Sequence, residues 1–248
     1  MSDPEDQVLA QEWFYPFDLP SGRKVGLYIP DWVATIHTTR LEMMRAALAP
    51  ILDAAPNTLT ALDLSSHQGY FSLALARECR HVVGLEIQER HVESASLMAR
   101  VLGIANVEFR HENLETMPPH RYEPADIVIN FGLMYNLQNP IGVLRRCREL
   151  TRRVLLIETQ TTMLDLSGAV DSGCYLSMKE MHGMFGVGLG NPENPEGSAS
   201  DIVLVPSRTA LIWILQQLGF ARIELVAPPP AGYEQLVTGK RIMIAAHV

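Results

Sequence analysis

Between residues 59 and 158 the hydrophobic positions follow two rhythms that take turns. Short, nearly continuous apolar runs occur at TALDLS (60–65), HVVGLE (81–86), NVEFR (106–110), ADIVIN (125–130) and RVLLIE (153–158). Continuous apolarity, as opposed to strict alternation, marks strands covered on both faces, as in a parallel sheet. Between the runs lie stretches with helical spacing, which predict helices over 68–79, 88–103 and 140–151. Strand and helix in alternation predict an α/β fold, a doubly wound and mostly parallel sheet with right-handed crossovers.

The flanks extend this pattern. TTRLEMMRAALAPIL (38–52) places Leu41, Met44, Leu48 and Leu52 on one stripe and predicts a core-packed helix. Ahead of it, EWFYPFDLPSGRKVGLYIPDW (12–32) sets aromatics around Pro and Gly, the composition of an arm that serves as a lid or a structural cover. After residue 158 comes an insertion over 160–203 that reads as a lid-like loop, ending in GLGNPENPEGSAS (188–200). PSRTALIWILQQLGF (206–220) opens on Pro and closes on Gly, as helices do. ARIELVA and KRIMIAAHV then predict two strands, an antiparallel hairpin that brings the sheet to seven strands and closes its edge. The expected organisation is a tail and arm over 1–37 and one domain over 38–248.

Composition narrows the class. Apolar residues make up 47% and charged residues 19% of the 248, a globular balance. No apolar run approaches the roughly 18 residues of a spanning helix. The start, MSDPEDQVLAQ, lacks the apolar core of a signal peptide and reads as a frayed tail. Cys79, Cys147 and Cys174 form no CxxC pair, so reduced thiols in a cytoplasmic protein are expected. The net charge of −8 argues against a grip on nucleic-acid backbone. RRCRELTRR (145–153) is basic but lies on a predicted helix, where it forms a solvated face. No two histidines have zinc-ligand spacing, so no metal is expected.

Ligands of doubly wound sheets sit beyond the carboxyl ends of the strands, at the reversal of strand order. The first strand ends in DLSSHQG (63–69) and the second in Glu86, an acid placed to accept hydrogen bonds from both hydroxyls of a ribose. Here the residues become specific. Residues 60–160 resemble a class I S-adenosylmethionine-dependent methyltransferase, with Asp63–Gly69 in the place of that family's D-x-G-x-G-x-G and Glu86 as its ribose acid. FRHENLETMP (109–118) resembles the segment lining the adenine, with Asn113 where an Asp is usual. DIVINFGLMYNLQNP (126–140) is similar to the segment ending in G-x-x-Y-H-x-x-x-P, with Asn136 in place of His. IET (157–159) and LVPSRTALIWILQQLGF (204–220) extend the likeness towards the branch holding the tRNA wobble-uridine carboxymethyltransferase and its small-molecule relatives.

The resemblance implies S-adenosyl-L-methionine as cofactor, held by Asp63, Ser65, Ser66, His67, Gly69, Tyr70 and Phe71, by Glu86 and Ile87, by Asn113 and Leu114, and by Asn130, Phe131 and Gly132. Ser65 and His67 replace glycines, but a sulfonium cofactor has no pyrophosphate for the backbone to approach, so the turn remains usable. Asn113 keeps a carbonyl oxygen for an adenine amino group.

Methyl transfer from an activated donor needs alignment and exclusion of water more than a fixed constellation. Tyr135 is expected either to face the methyl group or to pack. His37 is either a base near neutral pH or a satisfied structural histidine. His182, among Met178, Met181, Met184 and Phe185, either lines an adaptable acceptor pocket or packs the insertion. Glu158 either orients a polar group of the substrate or makes a structural hydrogen bond.

The expected activity is methyl transfer to O, N or S of a small, partly apolar acceptor. Two alternatives stand beside it. One is carboxymethyl transfer to tRNA, with Lys24 and Arg241 as the cations for the donor's extra carboxylate. The other is an inactive relative kept as a binding subunit or scaffold.

Overall fold

The structure, a computed structural model, describes residues 3–165, 167–169, 180–190 and 202–248. Seven strands form its sheet: β1 (Thr60–Asp63), β2 (His81–Glu86), β3 (Val107–His111), β4 (Ala125–Phe131), β5 (Thr151–Gln160), β6 (Arg222–Val226) and β7 (Arg241–His247). Their order is β6-β7-β5-β4-β1-β2-β3, and β7 alone runs against the other strands, antiparallel to both β5 and β6. The helices are α1 (Pro4–Leu9), α2 (Asp31–Ala54), α3 (Tyr70–Ala76), α4 (Glu89–Val101), α5 (Pro140–Leu150), α6 (Arg208–Gln217) and α7 (Glu234–Val237).

Neighbouring residues of one strand feed two different cores, which explains the unbroken apolar runs. Ala61, Ile127 and Leu156 pack with Met44 and Leu48 of α2, Phe71 of α3 and Met98 of α4. Their chain neighbours Leu62, Val128 and Leu155 pack on the opposite face with Val143 and Leu144 of α5 and Leu211 and Leu215 of α6. Burial of both faces leaves no polar position in the middle of such a strand.

Four local expectations change. The tail is not frayed: the Asp3 side chain accepts the Glu5 amide at 3.0 Å, Pro4 starts α1, and Val8 is buried. The helix predicted over 38–52 begins at Asp31, so the boundary drawn after residue 37 falls inside it. The insertion is not simply loop, because Phe185–Leu189 pairs antiparallel with Ile202–Pro206, and Ser167–Ala169 with Glu180–His182. Most of 188–200, and Met178 with it, lies outside the described residues. The hairpin pairs as predicted, but β7 inserts between β5 and β6, so β6 is the edge.

The arm is part of the core. Trp13 is fully buried and donates its indole N–H to the Val8 carbonyl at 2.9 Å, while Tyr15 and Phe17 pack beneath it. Gln68, in the turn after β1, accepts the Phe14 amide at 2.8 Å through its side-chain carbonyl. The arm is thereby tied to the turn it covers.

Candidate functional site

Strand order reverses between β1 and β4, and a cavity of about 350 Å³ opens at their carboxyl ends. It falls within the roughly 300–1,000 Å³ usual for small-ligand sites. Ser65, His67, Glu86, Ile87, Asn113 and Leu114 line one end. Gly132, Tyr135, Arg40 and Arg241 line the other, and Phe14 and Tyr15 of the arm roof it.

The turn after β1 keeps the shape of a glycine loop with one glycine, Gly69. His67 adopts φ 48° and Gly69 φ 85°, both left-handed. Such a conformation costs a side-chain-bearing residue of the order of 1 kcal/mol. Gly69 is further constrained by space, since a Cβ there would lie 2.7 Å from the Phe109 ring. Ser65 donates its hydroxyl to the Phe131 carbonyl at 2.9 Å, which staples the turn to β4.

Glu86 is the best-defined polar group at this end. One carboxylate oxygen accepts the His67 amide at 2.9 Å and the other the Gln88 amide at 2.8 Å. Burial would raise its pKa, but the bond to His91, the charge of His67 and the Gln88 amide outweigh burial and hold it below its usual value. A carboxylate offers about four lone-pair sites, so two backbone donors leave room for a diol. These residues fit S-adenosylmethionine: Glu86 for the ribose, Ile87 and Leu114 as apolar walls, and Asn113 at the adenine position. Asn113 Oδ1 already accepts the Glu115 amide at 2.9 Å, which fixes the side chain in a local turn.

Other predicted cofactor residues stand behind this surface. Asp63 is buried, bonded to the Ser72 hydroxyl at 2.6 Å and to the Ser65 amide, and burial pushes its pKa up to about 7. Ser66 is buried, and its backbone N–H bonds to Leu85. Tyr70 stacks on Tyr15, Phe71 packs edge-on against Phe131, and Asn130 is buried beside the Cys147 sulfur. These shape the site without lining the cavity.

The catalytic candidates separate in the same way. Tyr135 lines the cavity, on a short 3₁₀ turn after β4. His182 stacks on Trp213 of α6, with ring centres 4.6 Å apart, and is not a lining residue. His37 is fully buried among Phe14, Tyr15 and Tyr70, and neither ring nitrogen has a hydrogen-bond partner among the described residues. Burial, then the nearby Arg40 charge, lowers its pKa well below 6.5, so it is neutral at physiological pH. Glu158 is fully buried behind the wall, where Arg241 bonds it through Nε at 2.6 Å and Nη2 at 3.2 Å, and Arg40 Nη2 lies 2.8 Å away. Burial alone would raise its pKa, but the two arginines overcome this and hold it below 4.5.

Sequence reasoning passed over Arg40, which lies mid-stripe in α2 and is 5% exposed. Its only signal was a cation among apolar helix positions. Lys24 and Arg241 do not come together: Arg241 lines the cavity, while Lys24 lines a separate groove with Thr35 and Thr38.

A profile described as a methyltransferase domain matches residues 57–186. The chain is 31% identical over 115 residues to the 23S rRNA (uracil(1939)-C(5))-methyltransferase RlmD of Yersinia enterocolitica, covering 46% of this chain and 25% of RlmD. It is 26% identical over 152 residues to the ubiquinone biosynthesis O-methyltransferase of Cereibacter sphaeroides, covering 59% of this chain and 57% of that protein. The chain therefore spans from a quarter to just over half of these curated relatives. Among solved structures, the N-terminal domain of EvdMO1 with SAH bound superposes with a TM-score of 0.67 at 19% identity, over 94% of this chain and 90% of that one. Magnesium protoporphyrin IX methyltransferase of Synechocystis PCC 6803 with bound SAM gives 0.55 at 15% identity, over 88% and 84%. With its sheet order, its turn after β1 and its profile match, the chain belongs to the methyltransferase domain family, within the class I S-adenosylmethionine-dependent group.

Proposed function

We propose that the protein transfers a methyl group from S-adenosylmethionine to a small, partly apolar acceptor. The observation that carries this reading is that one cavity has Glu86 at one end and the Tyr135–Arg241 wall at the other. The cofactor supplies a methyl group already activated on a sulfonium sulfur. The chain's own work is to bind, align and keep the site dry. Glu86, Ile87 and Leu114 hold the nucleoside portion. Gly132, at φ 73°, turns the chain after β4 so that Tyr135 faces the cavity. Phe14 and Tyr15 cover the reacting atoms, and alignment of this kind contributes roughly 7–11 kcal/mol to barrier lowering. Neither His37 nor Glu158 acts as a base in this reading, because His37 is sealed from the cavity and Glu158 is locked to two arginines.

The match to RlmD favours a second reading, with an RNA acceptor. The overall charge of −8 and a roofed cavity weigh on the side of a small molecule. Incubation with methyl-labelled S-adenosylmethionine and a cell extract, followed by size fractionation, tests the two. Label in the small-molecule fraction is expected. Label in RNA would replace this reading with the second, and failure to bind the cofactor in calorimetry would sink both.

A further inference from the structure

The far wall of the cavity carries more positive charge and more hydrogen-bond donors than the protein itself consumes. Arg40 from α2 and Arg241 from β7 converge on the single carboxylate of Glu158 in β5. Both guanidinium groups are more than nine-tenths buried, and both residues line the cavity. Two cations against one carboxylate leave one positive charge over, in a place where water does little to offset it. His37, one turn before Arg40, is buried and neutral and does not change that balance.

The donor count points the same way. Each guanidinium has five N–H donors. Arg241 uses Nε and one Nη2 hydrogen on Glu158 and directs its other Nη2 contact to the Tyr135 hydroxyl at 3.3 Å. Its hydrogen bonds run through Nε and Nη2 alone, and the guanidinium also lies over the Tyr135 ring, 4.9 Å from its centre, so the Nη1 hydrogens have no acceptor among the described residues. Arg40 meets Glu158 only through Nη2, and its Nε is buried with no hydrogen-bond partner. The Tyr135 oxygen accepts from Arg241, so its own proton is free to be donated. These groups meet at one point: a Cβ on Gly132 would lie 3.7 Å from the Tyr135 oxygen and 3.8 Å from Arg40 Nη2.

A fixed fork, a second cation and a hydroxyl donor around one space suit a planar anion with two oxygens. We infer that Arg40, Tyr135 and Arg241 form a subsite for a carboxylate carried by the acceptor, an inference that rests on the methyl-transfer reading above. The carboxylate is an anchor and not the methylated atom. Arginines stabilise its charge before transfer more than in a transition state where that charge is being lost, so methylation at the anchored oxygen would be slowed. Glu158 is a positioning residue: it fixes the two forks and leaves their outer edges to the ligand.

The test uses S-adenosylhomocysteine-saturated protein titrated with benzoate and octanoate, beside benzamide and octanamide as neutral counterparts. The carboxylates are expected to bind about tenfold or more tightly than the amides. Arg241→Lys keeps a cation against Glu158 but loses the fork, so it should abolish that preference and leave affinity for S-adenosylhomocysteine within about twofold. Glu158→Gln frees both arginines and should tighten benzoate binding, a change in the opposite direction that a merely structural cluster would not produce. Equal binding of acids and amides overturns the inference. So does a joint outcome in which benzoate competes with S-adenosylhomocysteine and Arg241→Lys weakens both, because the carboxylate would then be the donor's own. Failure of the intact protein to bind S-adenosylhomocysteine at all would instead strike the methyl-transfer reading, and is read before any acid is added.

Discussion

The two ends of the cavity are built by different means. At the Glu86 end one ionised side chain is held by backbone: amides of His67 and Gln88 fix its carboxylate, and these partners lie 19 and 2 residues away along the chain. The arginine end is made of side chains from three distant elements, with Arg241 and Glu158 separated by 83 residues. Backbone amides cannot be mutated away, so the orientation of the Glu86 carboxylate is set by the fold itself, which suits an invariant cofactor. The arginine end stores its specificity in ionised groups that single substitutions can alter. The difference shows which half of such a site is tied to the fold and which half is tunable.

Substitutions can break the comparison from either side. The largest effect is expected at Glu158→Leu, which strands two buried guanidinium groups and should cost about 3–5 kcal/mol in chemical denaturation. Its affinity for S-adenosylhomocysteine, measured at a temperature where the variant is folded, should change little. Glu86→Ala is the converse. In the proposed reading it removes charge-assisted bonds to the ribose, and it should weaken cofactor binding about a hundredfold by calorimetry, about 2.7 kcal/mol. Equal losses of cofactor affinity in the two variants would dissolve the distinction between the ends.

Acidity sharpens it further, because Asp63 and Glu158 respond with opposite sign. The folded protein keeps Asp63 protonated up to about pH 7, whereas the unfolded chain releases that proton near its ordinary value of 3.8. Its contribution to stability therefore declines as pH rises between those values. Glu158, held below 4.5 when folded, contributes stability above 4.5 that is lost as pH falls through its folded value. Denaturation midpoints of Asp63→Asn should lack the decline between pH 5 and 7 that the parent shows, while the loss at lower pH persists. The smallest expected effect is at Gln68→Ala, which unties the arm. About 1 kcal/mol of stability should go, with faster hydrogen exchange at the Phe14 amide.

The Glu86 end and the sheet were legible in the sequence for a physical reason. Strands buried on both faces must be apolar through their middle stretches, and a turn that needs left-handed backbone must sit at the end of the first of them. Both constraints are local, so HVVGLE and the DLSSHQG turn could be placed before any coordinate. Even the replacement of a glycine by His67 left the position readable, because the backbone takes the left-handed shape regardless. The arginine end was opaque. Arg241 and Glu158 come together only because β7 inserts beside β5 with Arg241 opposite Gln160, which puts Glu158 at the diagonal position on the same face. Arg40 looked like one more charge on a helix. His37 showed the reverse failure, since its residue type suggested chemistry while the aromatic arm seals it away.

The Arg40–Glu158–Arg241 cluster also bears on how the sheet is assembled during synthesis. A chain emerging from the ribosome presents Arg40 and Glu158 well before Arg241, and β7 cannot enter the sheet until its residues are out. Until then Glu158 has one partner instead of two, and the gap between β5 and β6 stands open. Domains commonly begin to fold as they are made. In this molecule the Glu86 end can take shape while translation continues, whereas the arginine end waits for the last strand. A nascent chain could thus hold its cofactor before it can select what to modify.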